Sequence, residues 1–152
     1  MNIRTAAFAV ALLIPALVRA EDIRWFGNAS GDGGASLIYG TPESDYAPLS
    51  FSCENRSKEV VFTYEFEPAN KSGPVVVTLR AGDIEVPINT KAEHLEEADL
   101  HLLIGKAVLD ERLVDLLTSR TKLRVVVGDG SAEFPLDGTR EAAKDLFATC
   151  KA

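Results

Sequence analysis

His94 and His101 are the only histidines in the chain, and Glu96, Glu97 and Asp99 lie between them with Glu93 just before. Imidazole nitrogen and carboxylate oxygen are donors that zinc accepts, and two histidines with one or two acids are enough ligands for a site. His94, Glu97, Asp99 and His101 are therefore the candidate metal ligands. Their spacing would align the histidines on a continuous helix, but His101-Leu102-Leu103-Ile104 reads as a short strand. No HExxH sequence fixes two ligands and a base on one face. Paired acids divide acid and base work only where separate environments drive their pKa values apart, and these acids sit in polar sequence. The bland reading of this segment is a solvated acidic loop. The sharper one is a cation site, and with it a metal-dependent hydrolase.

The other chemistry-bearing side chains point to structure. Cys53 and Cys150 are the only cysteines, far apart in the chain. They form neither a CxxC redox pair nor a thiolate cage for a metal, so they are expected to close a structural disulfide that ties the front of the domain to its last helix. No serine lies in GxSxG, and neither histidine falls in a nucleophile, base and orienter arrangement. The GDGG run at residues 31–34 has no strand, loop and helix around it and reads as a turn rather than a phosphate cradle. No cofactor is implied.

The chain begins with the features of an export signal. Arg4 precedes an uncharged apolar run at residues 6–18, and Val18-Arg19-Ala20 supplies a cleavage sequence. Residues 1–20 are read as a cleaved signal peptide and residues 21–152 as a single secreted domain. The run is short for a membrane span and contains Pro15, and nothing later reaches the roughly 20 apolar residues a span requires. Cleavage removes two arginines and no acid, taking the formal charge from -7 to -9. That balance disfavours nucleic-acid backbones and anionic membranes and suits a basic partner or a cation. Asn28, Asn55 and Asn70 begin Asn-X-Ser triplets, which matter only in a host that glycosylates them.

The elements that must position these residues follow from periodicity. Leu49, Phe51 and Cys53 alternate with polar residues, and Val60, Phe62, Tyr64 and Phe66 form an aromatic-rich series on one strand face. Further strands are expected at residues 37–39, 75–80, 84–88, 101–104, 123–127 and 132–136. Pro87 favours an edge or an early ending for its strand. Polar residues from Asn89 to Asp99 are expected to form a loop. Leu109, Leu113, Leu116 and Leu117 are spaced for an amphipathic helix over residues 108–119, with Asp110 and Glu111 in its first turn. A closing helix follows Asp137 or Thr139 and buries Leu146 and Cys150. The fold class is α+β: an antiparallel sheet or partly closed sandwich covered or flanked by two helices.

The segments FSCEN and AEFPLDGTREAAKDLFATC resemble those of small exported bacterial domains with two cysteines. They are similar to the periplasmic accessory proteins of type VI secretion and, more distantly, to the invasion-associated locus B family. The matching positions are Phe51, Cys53, Phe134, Leu136, Gly138, Leu146 and Cys150. The resemblance implies a β-rich secreted domain that contacts envelope proteins. The leading expectation is therefore a noncatalytic periplasmic protein-binding or accessory domain, with an acidic inhibitor of a basic exported enzyme as a variant. A metal-dependent hydrolase using the His94 to His101 region is the alternative. Trp25, Phe26 and Tyr39 are the candidate interface if they form an exposed patch; otherwise they close the sheet core.

Overall fold

The computed structural model describes residues 23–67 and 73–151. The expected signal peptide and the Asn70 triplet lie outside the described residues. Among the described residues, nine strands form one antiparallel sheet: β1 (Arg24–Ala29), β2 (Ala35–Gly40), β3 (Leu49–Cys53), β4 (Glu59–Glu65), β5 (Pro74–Ala81), β6 (Ile84–Leu95), β7 (Leu100–Val108), β8 (Lys122–Val127) and β9 (Gly130–Pro135). Their spatial order is β1-β2-β3-β4-β7-β6-β5-β8-β9.

The two-residue period explains the sheet's core. One face of each strand turns inward, and Leu37, Phe51, Phe62, Leu103, Ile88, Leu79 and Val125 from successive strands are all buried. The sheet curls until its two edges meet. The Trp25 indole N–H from β1 donates to the Pro135 carbonyl on β9, and the Tyr39 ring lies edge-on to Phe134 with centroids 5.2 Å apart. The β1 and β9 edges share no ladder, so the curl stops short of a closed barrel.

Among the described residues, three short helices cover it: α1 (Glu111–Leu117), α2 (Thr139–Ala142) and α3 (Lys144–Thr149). The Asp110 carboxylate accepts the Leu113 amide at 2.9 Å and starts α1. Val108, expected in this helix, is instead the last residue of β7 and pairs with Glu59. Leu113, Leu116 and Leu117 are the buried stripe of α1, which packs on β5 and β6. The closing helix divides at Ala143 into α2 and α3, which pack against β1. Its entry is made by Gly138 in the left-handed region with no side-chain cap, while the Thr139 hydroxyl donates back to the Leu136 carbonyl at 2.7 Å.

The approach of this helix to β1 depends on the missing side chain at Gly27, where a Cβ would overlap the Ala142 carbonyl oxygen. Both contacting groups are backbone, so neither can rotate away. Gly27→Ala should lower the unfolding free energy by about 2–3 kcal/mol, as overpacking of a fitted contact does. Urea unfolding checks this, and a loss under about 0.5 kcal/mol would mean that the closing helix shifts freely.

Cys53 at the end of β3 and Cys150 after α3 form a disulfide, with their Cα atoms 6.0 Å apart. The bond spans 97 positions of the chain. It fastens the closing helix to the sheet at the end opposite to the helix entry.

One expectation about the middle of the chain is corrected, and of the two alternatives for Pro87 the edge position holds while the early ending does not. The polar stretch after Asn89 is not a loop: β6 runs to Leu95, and only residues 96–99 turn before β7 begins at Leu100. Pro87 does not end its strand either, although β6 lies between β5 and β7. Pairing with β7 begins only at Thr90, so among the described residues the half of β6 that contains Pro87 has β5 as its one neighbouring strand. There a missing N–H costs no ladder bond on the open side.

Candidate metal centre

The β6–β7 hairpin creates the site. Its register places His94 opposite His101 and Leu95 opposite Leu100. Side chains of directly opposed residues in an antiparallel pair project to the same face. In this hairpin that face is the inner one, because Ile88 and Thr90 on β6 and Leu103 on β7 are buried along the same alternation. The two histidines thus extend the core-facing row past the point where the core ends. His94 is exposed and His101 half-buried. Their rings stack, with centroids 4.1 Å apart and planes inclined by 4°.

The turn supplies the third group. The Ala98 amide donates to the Leu95 carbonyl at 3.2 Å, and Asp99 reverses the chain with φ of 50°. Aspartate is among the few residues that enter this left-handed region readily. From there its carboxylate turns back over the hairpin, leaving Oδ1 3.0 Å from His94 Nε2. One donor atom from each of His94, Asp99 and His101 lies within 4.8 Å of the other two. Glu97, the fourth candidate ligand, is exposed in the turn and is not among the three whose donors converge.

What this arrangement can do follows from coordination geometry. Zinc holds nitrogen at about 2.0–2.1 Å and oxygen at similar distances, so tetrahedral ligands stand roughly 3.3 Å apart. The cluster is already near that scale. In two stacked rings the in-plane lone pairs run side by side, so a shared ion requires the imidazoles to open into a V. Their position at the solvent edge leaves room for that rotation. Two nitrogens and one carboxylate make three protein ligands, the number that leaves a position open in catalytic zinc sites.

This convergence overturns the leading expectation of a noncatalytic binding domain, and with it the inclination against an enzyme. In sequence the acids and histidines look like an exposed polar loop. Hairpin pairing instead brings two imidazoles and a carboxylate onto one point, and the alternative built on His94 and His101 is the better supported.

The remaining candidate residues lie elsewhere. Trp25 is 5% exposed and Tyr39 is half-buried, their ring centroids 5.2 Å apart inside the curl. Phe26, opposite Ile38 in the β1–β2 ladder, is half-buried on the other face. The positions that carry the family resemblance are largely core: Phe51, Cys53, Phe134, Leu136, Leu146 and Cys150 are all buried.

Sequence reasoning placed Tyr64 and Phe66 on a sheet face but did not connect them to the histidines. Tyr64 stands edge-on to Phe134 with centroids 6.2 Å apart, and burial raises its phenol above the ordinary value of 10.0. Tyr39 is raised too, first by burial and then by the neighbouring Tyr46. A phenol whose folded-state pKa is raised contributes stability that is present below the unfolded value and lost as pH climbs through the folded one. Urea unfolding of the wild-type protein should therefore weaken above about pH 10, and Tyr64→Phe should remove part of that alkaline loss. An unchanged alkaline slope in the variant would place the effect on Tyr39 alone.

No protein-family model matches the chain, and no curated protein or solved structure is significantly similar to it. Among the described residues, no helix is long and apolar enough to cross a membrane.

Proposed function

We propose that the β6–β7 hairpin binds a divalent transition metal through His94, Asp99 and His101, and that the protein is a metal-dependent hydrolase. The observation that carries this reading is the convergence of the three donor atoms within 4.8 Å. Mixed nitrogen and oxygen donors suit zinc better than calcium or magnesium, which take oxygen ligands. A cation held by three protein ligands leaves room for a water, whose proton it would acidify toward neutral pH, and it can polarise a carbonyl or phosphoryl oxygen. His94 and His101 hold the cation. Asp99 completes the set and partly neutralises its charge.

The test is calorimetric titration of the full chain with zinc chloride, followed by a screen of ester, amide and phosphoester substrates with and without the metal. Saturable binding of about one zinc per chain with micromolar affinity or better, and hydrolysis that a chelator removes, is the expected result. Absence of zinc binding at millimolar concentration would end this reading.

We further propose that residues 1–20 direct export, leaving residues 21–152 in the periplasm or outside the cell as a single secreted domain. Arg4, the apolar run at residues 6–18 and the Cys53–Cys150 bond support this, since disulfides persist in oxidising compartments. Shared descent with exported two-cysteine domains is part of the same proposal. An envelope or secreted protein of basic character is the partner class, as the molecule acted upon.

A further inference from the structure

We infer that a cleft beside the histidines is a recognition pocket for a cationic group on an apolar or aromatic stem, placed to hold a substrate at the candidate metal centre. The cleft has a volume of about 360 Å³, within the range of small-molecule sites. Tyr64 and Phe66 line one side, and Val127 on β8 lines the other with the fully buried Val125 behind it. Glu67 and Asp129, both exposed, line it as well. Its link to hydrolysis rests on the metal-site reading above, whereas its ligand chemistry does not.

Adjacency to the histidines comes from the β4–β7 ladder. Tyr64 pairs with Leu103 and Glu65 with Leu102, and the Phe66 amide donates to the His101 carbonyl at 3.0 Å. That bond continues the pairing by one more step, making Phe66 and His101 neighbours on the inner face. Cross-strand side chains of this kind stand on the order of 5 Å apart. His94 is the next in the same row, opposite His101. A ligand resting on the Phe66 ring is therefore within reach of the imidazoles.

The charge of the ligand follows from the lining. No lining residue among those described is basic. Glu59, Glu85, Glu133 and Glu141 each pair with a lysine or arginine, but Glu67 and Asp129 form no ion pair among the described residues. Two such carboxylates beside two aromatic rings favour a cation, through Coulomb attraction and through the negative faces of the rings. The valine wall selects the apolar stem.

The experiment is an amide-resolved NMR titration of the metal-free full chain with benzylammonium, benzyl alcohol and benzoate, three probes of one shape and different charge. Saturable shifts confined to Tyr64, Phe66, Val127 and Gly130 are expected, with benzylammonium binding about tenfold or more tighter than the other two. Glu67→Gln combined with Asp129→Asn should erase that preference and leave the spectrum of the fold unchanged. Equal binding of benzyl alcohol, a preference for benzoate, or shifts scattered over other surfaces would overturn the pocket. Since no metal is present, failure of zinc binding sinks the hydrolase and spares the pocket, and failure here does the reverse.

Discussion

Replacing Cys53 and Cys150 together with alanine should lower the unfolding free energy by about 3–5 kcal/mol and the melting temperature by on the order of 10 °C. The bond closes a loop spanning 97 positions, and constraint of the unfolded chain grows with loop length, reaching about 4.7 kcal/mol for a loop of roughly 100 residues. Cys53 and Cys150 are both buried, so the substitution also removes two packed sulfurs, while alanine introduces no unpaired polar group. The loss should appear chiefly as detachment of α3, whose packing partners are β1 and β2. Differential scanning calorimetry of the oxidised wild type and of the cysteine-free double variant measures the total. Hydrogen exchange then locates it, with amides of residues 144–150 losing protection first. A shift below about 3 °C would mean that helix packing alone holds the end of the chain. Zinc affinity should be unaffected, because the β6–β7 hairpin is built from strands outside the bond's anchor points.

The largest functional effect is expected at the opposite side of the sheet. His94→Ala with His101→Ala should weaken zinc binding by about a hundredfold or more, beyond what loss of supporting groups around a metal typically costs. Asp99→Asn keeps a residue that tolerates the left-handed backbone and removes one anionic donor, so a smaller loss of about tenfold is expected. These changes should alter the unfolding free energy by no more than about 1 kcal/mol, because His94 and Asp99 are exposed and the hairpin tip lies past the core. Calorimetric titration gives the affinities and urea unfolding the stabilities. Zinc should also pull the stacked rings apart, moving the imidazole proton resonances of both histidines together. Retention of wild-type affinity in the double variant would assign the zinc to another group of donors. Since metals compete with protons for imidazole, binding should weaken in acid.

The alternation of Phe51, Phe62 and Tyr64 against polar neighbours was sufficient to identify β3 and β4, since a half-buried strand must write its two faces into a two-residue period. The lone pair of cysteines likewise named its own disulfide, and the leucine spacing announced α1. The hairpin that carries the candidate metal centre had no such signature. Beyond Ala92, which is half-buried against the core, the strand β6 leaves it, and Glu93, His94 and Leu95 are all exposed. With both faces solvated there is no burial to impose a period, and the segment reads as a polar loop. Its strand character comes from the ladder with β7, a property of two segments together. The same ladder decided that His94 should face His101 and Phe66 should adjoin them. Composition determined by itself that two histidines and several acids were close along the chain. Only tertiary pairing decided which of them converge, because a register of backbone hydrogen bonds sets side-chain meeting points that no single strand encodes.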